Sequence, residues 1–143
     1  MKEMFSGIPA TYELINHVLT MGMDILWRRR LVRLALGFAG GTYADICSGT
    51  GETAVGLARG ARSGSRVYAV DFSEPMLDVA RKKPGAVGIE FVVSDARKMP
   101  IPDSSVDVAT MSFAARTMAI AGGSLEDSLR EILRVLKQGG VLL

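Results

Sequence analysis

The chain contains one cysteine, Cys47, and one histidine, His17. A single thiol cannot close an intrachain disulfide, and this pair cannot supply the cluster of Cys and His ligands that a structural zinc site needs. The scarcity of cysteine fits a reducing compartment. Excess charge is also missing: the net charge is +2, too weak to argue for a nucleic-acid partner. No apolar run approaches the roughly 18 residues that span a bilayer. The opening "MKEMFSGIPATYEL" has no apolar core of the secretory kind. A soluble cytoplasmic protein is the default expectation. What is present is ordinary for a globular domain: 143 residues, 48% apolar and 22% charged, enough for one domain with a real core.

Helical and extended patterns alternate along the chain. "TYELINHVLTMGMD" reads as a short helix closing near Gly22. In the next segment Trp27, Leu31, Leu34 and Phe38 recur at helical spacing, with Arg29, Arg30 and Arg33 on another face, and Gly40-Gly41 should end that helix. The basic face reads either as solvated or as one that touches anionic lipid. Strands are expected over about 43–47, 66–71, 89–95 and 106–113, with a fifth starting at "VLL". Helices should fill 52–59, the segment "SEPMLDVARKK" (Ser73 as N-cap, Pro75 in the first turn) and "SLEDSLREILRVLKQGG". In the last of these, Ser124 and Asp127 resemble a capping pair. Leu125, Leu129, Ile132, Leu133 and Leu136 form a stripe there, and Gly139-Gly140 should stop it.

Such alternation predicts an α/β fold: a Rossmann-like parallel sheet with helices on both faces, joined by right-handed crossovers. Residues 1–40 read as an N-terminal helical cap and residues 41–143 as the core. Because the chain stops inside an apolar segment after a double glycine, the sheet is expected to lack its last strands, as a truncated domain would. Ligands of these sheets bind beyond the carboxyl ends of the strands. The places to look for chemistry are therefore Cys47 to Gly51, Asp71, Asp95 and Ser112.

The most informative stretch is "DICSGTGETA". Gly49-Thr50-Gly51-Glu52-Thr53-Ala54 matches the dinucleotide pattern G-x-G-x-x-G/A, and Asp71 stands about twenty residues on, where a ribose-binding acid belongs. Glu52 opposes that reading, since it would place a negative charge at the helix end that should hold pyrophosphate. Asp45, inside the first strand, is also left unexplained by it. The alternative pattern, acid-x-x-x-Gly-x-Gly from Asp45, Gly49 and Gly51, resembles motif I of the class I methyltransferases. It implies S-adenosyl-L-methionine, a cofactor without phosphate. Asp45 would serve its ammonium, Gly49 and Gly51 would allow close backbone approach, and Asp71 would accept both ribose hydroxyls. The fuller form of that motif has a glycine where this chain has Cys47, which reads as a small buried residue.

Further blocks extend the resemblance along the chain. "MFSGIPATYELINHVLTMGMDILWRRRLVRLA", "AVDFSEPMLDVARKK", "IEFVVSDARKMPIPDSSVDVATMSFAARTM" and "LREILRVLKQGGVLL" are similar to successive segments of the ubiquinone/menaquinone biosynthesis C-methyltransferase family. The "F-x-x-I-x-x-x-Y-x-x-x-N" and "G-x-D-x-x-W-R" patterns discriminate most, because generic methyltransferases lack them. The resemblance implies transfer of a methyl group to a ring carbon of a prenylated quinol precursor. It places cofactor contacts at Ser48, Asp71, Asp95, Ala96 and Ser112, with Asp95 meeting the adenine amino group and Tyr12 and the N-terminal helices covering the cofactor. Arg116 matches a family arginine near the substrate. The surrounding "SFAARTM" departs from the family's "SFGLRN", which leaves another small-molecule acceptor open.

Methyl transfer of this kind relies on alignment of carbon, methyl and sulfur. A group that stabilises a phenolate would help. Arg116 is the first candidate and His17 the second, since it titrates near neutrality. No metal is called for. The partner implied is a lipid-like small molecule; the reading allows peripheral membrane contact at most, and a homodimer. Two further readings stand beside this one: a nicotinamide-dependent dehydrogenase, disfavoured by Glu52 and Asp45, and a truncated domain that binds cofactor without turnover.

Overall fold

The computed structural model describes residues 23–112 and 125–143. The expected helix before Gly22, together with Tyr12, His17 and Arg116, lies outside them. The described elements are α1 (Met23–Leu36), β1 (Thr42–Ile46), α2 (Glu52–Gly60), β2 (Arg66–Asp71), α3 (Glu74–Arg81), β3 (Ile89–Val93), β4 (Val106–Thr110), α4 (Leu125–Val135) and β5 (Leu136–Leu142). The strands form one parallel sheet in the order β3-β2-β1-β4-β5. The winding reverses between β1 and β4, so a crevice is expected at their carboxyl ends.

β1 sits at the centre and is buried along both faces after its first residue, as a middle parallel strand must be. One apolar layer holds Tyr43, Val67, Ala69 and Val108 beneath Ala35, Leu57 and Leu77 from α1, α2 and α3. The other holds Ile46, Val70 and Val106 beneath Ile132 and Val135 of α4. Helices thus cover both faces. At the opposite end of the sheet from the crevice, Asp107 Oδ2 accepts from the backbone N–H of Gly41 (3.0 Å) and Thr42 (2.9 Å), while its Oδ1 meets Lys137 Nζ at 2.8 Å. One side chain therefore binds the starts of β1 and β4 to the segment entering β5.

Several expectations need correction. The stripe Trp27, Leu34 and Phe38 does not face the core: all three are substantially exposed, and the buried positions of α1 are Asp24 and Ala35. Close packing explains the choice of face. A Cβ on Gly56 would lie 2.9 Å from Val32, and one on Gly60 would strike Leu36. Two glycines one turn apart on α2 thus receive Val32 and Leu36 and fix the roll of α1. The helix also ends at Leu36 rather than at Gly40-Gly41. Ala35 belongs to the apolar layer that also holds Tyr43 and Val108.

β3 stops at Val93 and β4 at Thr110, so Asp95 and Ser112 lie in the following loops rather than in the strands. α4 stops at Val135; Gly139 and Gly140 fall within β5, where the pairing with β4 is irregular. Gly139 has φ 80°, which suits a bulge rather than a helix cap. Leu133 is 69% exposed, while Ser128 joins the expected Ile132, and Val135, in the buried positions of α4.

Candidate cofactor site

The loop from Cys47 to Gly51 leaves β1 at the crevice. Its amides are largely spent on the protein itself. Ser48 N–H donates to Val70 O (2.9 Å), Gly51 N–H to Ser48 O (2.9 Å), and Gly49 N–H to Asp71 Oδ2 (2.7 Å). A dinucleotide pyrophosphate needs such donors free and convergent; here three of them already serve acceptors within the fold. Glu52, at the start of α2, pairs with Lys83. A Cβ on Gly51 would come within 2.6 Å of Ala80, whereas one on Gly49 would meet nothing within 4 Å. Gly51 is thus required for packing, and Gly49 borders open space.

Asp45 is 1% exposed. Its Oδ1 accepts from Thr110 Oγ1 and its Oδ2 from Ser48 Oγ, both at 2.8 Å. Burial pushes its carboxyl up to about 6, against the lowering effect of those hydroxyls and of the Ala54 N–H. The acid is therefore a buried anchor under the glycine loop rather than an open contact. Nearby, Thr53 Oγ1 and Ser112 Oγ stand 3.5 Å apart, which sets Ser112 beside the first turn of α2.

Asp71 closes β2 and is also mostly buried. Its Oδ1 accepts from Ser73 N–H at 2.9 Å. Ser73 is the N-cap of α3 as expected, but its hydroxyl makes no cap bond; Asp71 organises the turn instead. Burial raises the carboxyl above its usual range, opposed by hydrogen bonds from the N–H groups of Ser73, Gly49 and Phe72. The register places Asp71 beside Val93. Phe72 and Val93 are each 46% exposed, which gives an apolar patch between Asp71 and Asp95. Phe72 was missed in the sequence; its signal was an aromatic directly after a strand-ending acid.

Asp95 is half exposed and held by Arg97: its Oδ1 accepts from Arg97 N–H (2.9 Å) and Nε (3.0 Å), its Oδ2 from Nη2 (2.6 Å). Ala96 is buried in the core beside Met99 and Ile101. Cys47 has φ 56°, the left-handed region that glycine occupies at little cost. The substitution of the motif's first glycine is therefore a backbone matter as well as one of size. Burial first, then the nearby carboxylates Asp71, Asp45 and Asp95, push its thiol up to about 12, so it stays protonated and is no nucleophile.

A family model described as the ubiE/COQ5 methyltransferase family matches residues 1–143. The chain belongs to that family. Demethylmenaquinone methyltransferase of Thermus thermophilus is 42% identical over 142 residues, covering 98% of this chain and 62% of the relative. The ubiquinone/menaquinone biosynthesis C-methyltransferase UbiE of Pseudomonas putida is 39% identical over 145 residues, covering 99% and 55%. The chain thus spans a little over half the length of these relatives. Among solved structures, a putative S-adenosyl-L-methionine-dependent methyltransferase from Methanococcus maripaludis superposes with TM-score 0.73 at 25% identity, covering 94% of this chain and 60% of that one. One from Thermotoga maritima gives 0.67 at 27% identity, covering 93% and 56%. The fold is that of the class I methyltransferases.

Proposed function

We propose that this ubiE/COQ5-family chain binds S-adenosyl-L-methionine and forms the cofactor half of a C-methyltransferase acting on a prenylated quinol precursor. The observation that carries the reading is the Gly49–Asp71 hydrogen bond. It closes the loop against phosphate yet leaves a carboxylate at the crevice beside open space at Gly49. The residues fit a phosphate-free nucleoside: Asp71 for the ribose hydroxyls, Phe72 and Val93 as an apolar wall for the base, and Asp95 with the Ala96 backbone for its polar edge. Asp45 acts at one remove, holding Ser48 and Thr110 where the amino acid end would lie.

The cofactor would supply an electrophilic methyl group on a sulfonium. The chain's own work is to hold the reacting partners in line and exclude water, which is where most of the rate in such transfers arises. Arg116, in the segment after β4, is assigned to stabilise a phenolate on the acceptor, with His17 as the second candidate for that role. Calorimetric titration with S-adenosylhomocysteine and, separately, with reduced nicotinamide dinucleotide tests the proposal. Binding of the first and none of the second is expected; the reverse would overturn it.

A further inference from the structure

We propose that the outward face of α1 is a docking surface for an anionic lipid bilayer. Val32 and Leu36 lock the opposite side of the helix into the glycines of α2, so the roll of α1 is fixed by close packing. That roll turns Trp27 and Leu34, two helical turns apart, outward with about half of each exposed. Arg30 and Arg33 are also exposed, on the flank of this strip. Neither meets a carboxylate among the described residues, whereas Arg66, Arg81, Arg97, Arg130 and Arg134 each do.

The partner follows from these features. A helix that exposes an apolar strip with a tryptophan on one side and unmatched arginines beside it has the form of an interfacial helix, whose strip enters the headgroup boundary while its cations meet lipid phosphates. Indole suits that boundary, being apolar with one N–H donor. The inference is independent of the reaction proposed above.

Trp27 is the sole tryptophan, so intrinsic fluorescence reads this face directly. The chain is titrated with vesicles of phosphatidylglycerol and phosphatidylcholine, and with phosphatidylcholine alone. The expected result is a blue shift, and quenching by brominated acyl chains, with the anionic vesicles only, weakening as salt is added. Arg30→Glu with Arg33→Glu should lower vesicle affinity by at least about 25-fold, at roughly fivefold per basic residue, while S-adenosylhomocysteine binding stays as in the parent chain and shows that the variant is folded. Equal response to both vesicles would overturn the proposal, as would no response to the anionic ones. An emission already blue-shifted without lipid and unmoved by it would also overturn it, and would assign the face to a protein segment.

Discussion

Gly49 N–H lies 2.7 Å from Asp71 Oδ2, and Asp71 Oδ1 lies 2.9 Å from Ser73 N–H. A single carboxylate thereby fastens the loop after β1 to the turn that starts α3. It also explains why the loop resembles a dinucleotide cradle in letters and differs from one in use. The amide that would grip phosphate grips the neighbouring strand's acid.

Truncating that carboxylate should therefore do two things. Asp71→Ala leaves two largely buried N–H groups without their acceptor, at about 1–3 kcal/mol for each such group, and removes the proposed ribose contact. S-adenosylhomocysteine affinity is expected to fall by at least about 100-fold, with a lower melting temperature. Asp71→Asn keeps an acceptor for one amide and should melt nearer to the parent chain while still binding poorly. Calorimetry beside a thermal melt checks the pair of outcomes; unchanged affinity in both variants would refute the assignment.

Cys47 gives a prediction of opposite sign. A non-glycine residue at φ 56° carries about 1 kcal/mol of backbone strain. Cys47→Gly should relieve it, offset in part by the added freedom of the unfolded chain and the loss of a half-buried side chain. The net expectation is a melting temperature equal to or slightly above that of the parent chain. A clear drop, of several degrees, would show that the thiol's packing outweighs the strain.

Asp45 makes stability depend on pH. Its folded pKa is about 6, against 3.8 for an unperturbed aspartate, so the folded chain keeps a proton that the unfolded chain has released. Stability contributed by the neutral carboxyl is fully present below about pH 4 and lost as the pH rises through about 6. Above that, the buried charge costs up to about 3 kcal/mol. Asp45→Asn should remove this loss, making the variant more stable than the parent chain at pH 8 and no more stable at pH 4. Urea unfolding at the two values decides it. Cofactor affinity should fall, because the amide cannot accept from the Ser48 and Thr110 hydroxyls on both sides.

How far these features were legible depends on their range. The alternation of strands and helices, the glycine loop, Asp71 and the family resemblance all sit in short contiguous patterns, and each appeared where expected. The roll of α1 did not. Trp27, Leu31, Leu34 and Phe38 recur at helical spacing, yet the packed face was chosen by Gly56 and Gly60, a turn apart on another helix. The end of α4 was misread for a related reason: a double glycine resembles a helix stop, but pairing with β4 drew Leu136 onward into a strand. Asp107, Arg97 and Arg134 were passed over because their partners are distant in sequence, or because nothing marks one surface charge among many.

Arg134 shows what such a charge can hold. Its Nε and Nη2 bind Glu131 (2.8 and 2.7 Å), Nη2 also reaches Met99 O (3.0 Å), and Nη1 reaches Ile101 O (2.9 Å) and Asp103. Glu131 Oε1 in turn accepts from Met99 N–H at 2.6 Å. The segment after Asp95 is thus pinned to α4 through one planar fork, and the hydrogen bond from Arg134 holds the Glu131 carboxyl below its usual range. A lysine offers a single point of charge and cannot reproduce this set. Arg134→Lys is expected to cost about 1–2 kcal/mol and to loosen the 99–103 segment before the rest of the sheet. Hydrogen exchange at the Met99 amide is the direct readout, and it should quicken in the variant while the central-strand amides of Ala44 and Ala69 keep their protection. Because Asp95 precedes this segment by four residues, cofactor affinity should weaken severalfold as well; a faster Met99 amide with unaltered affinity would show that Arg97 alone suffices to hold Asp95 in place.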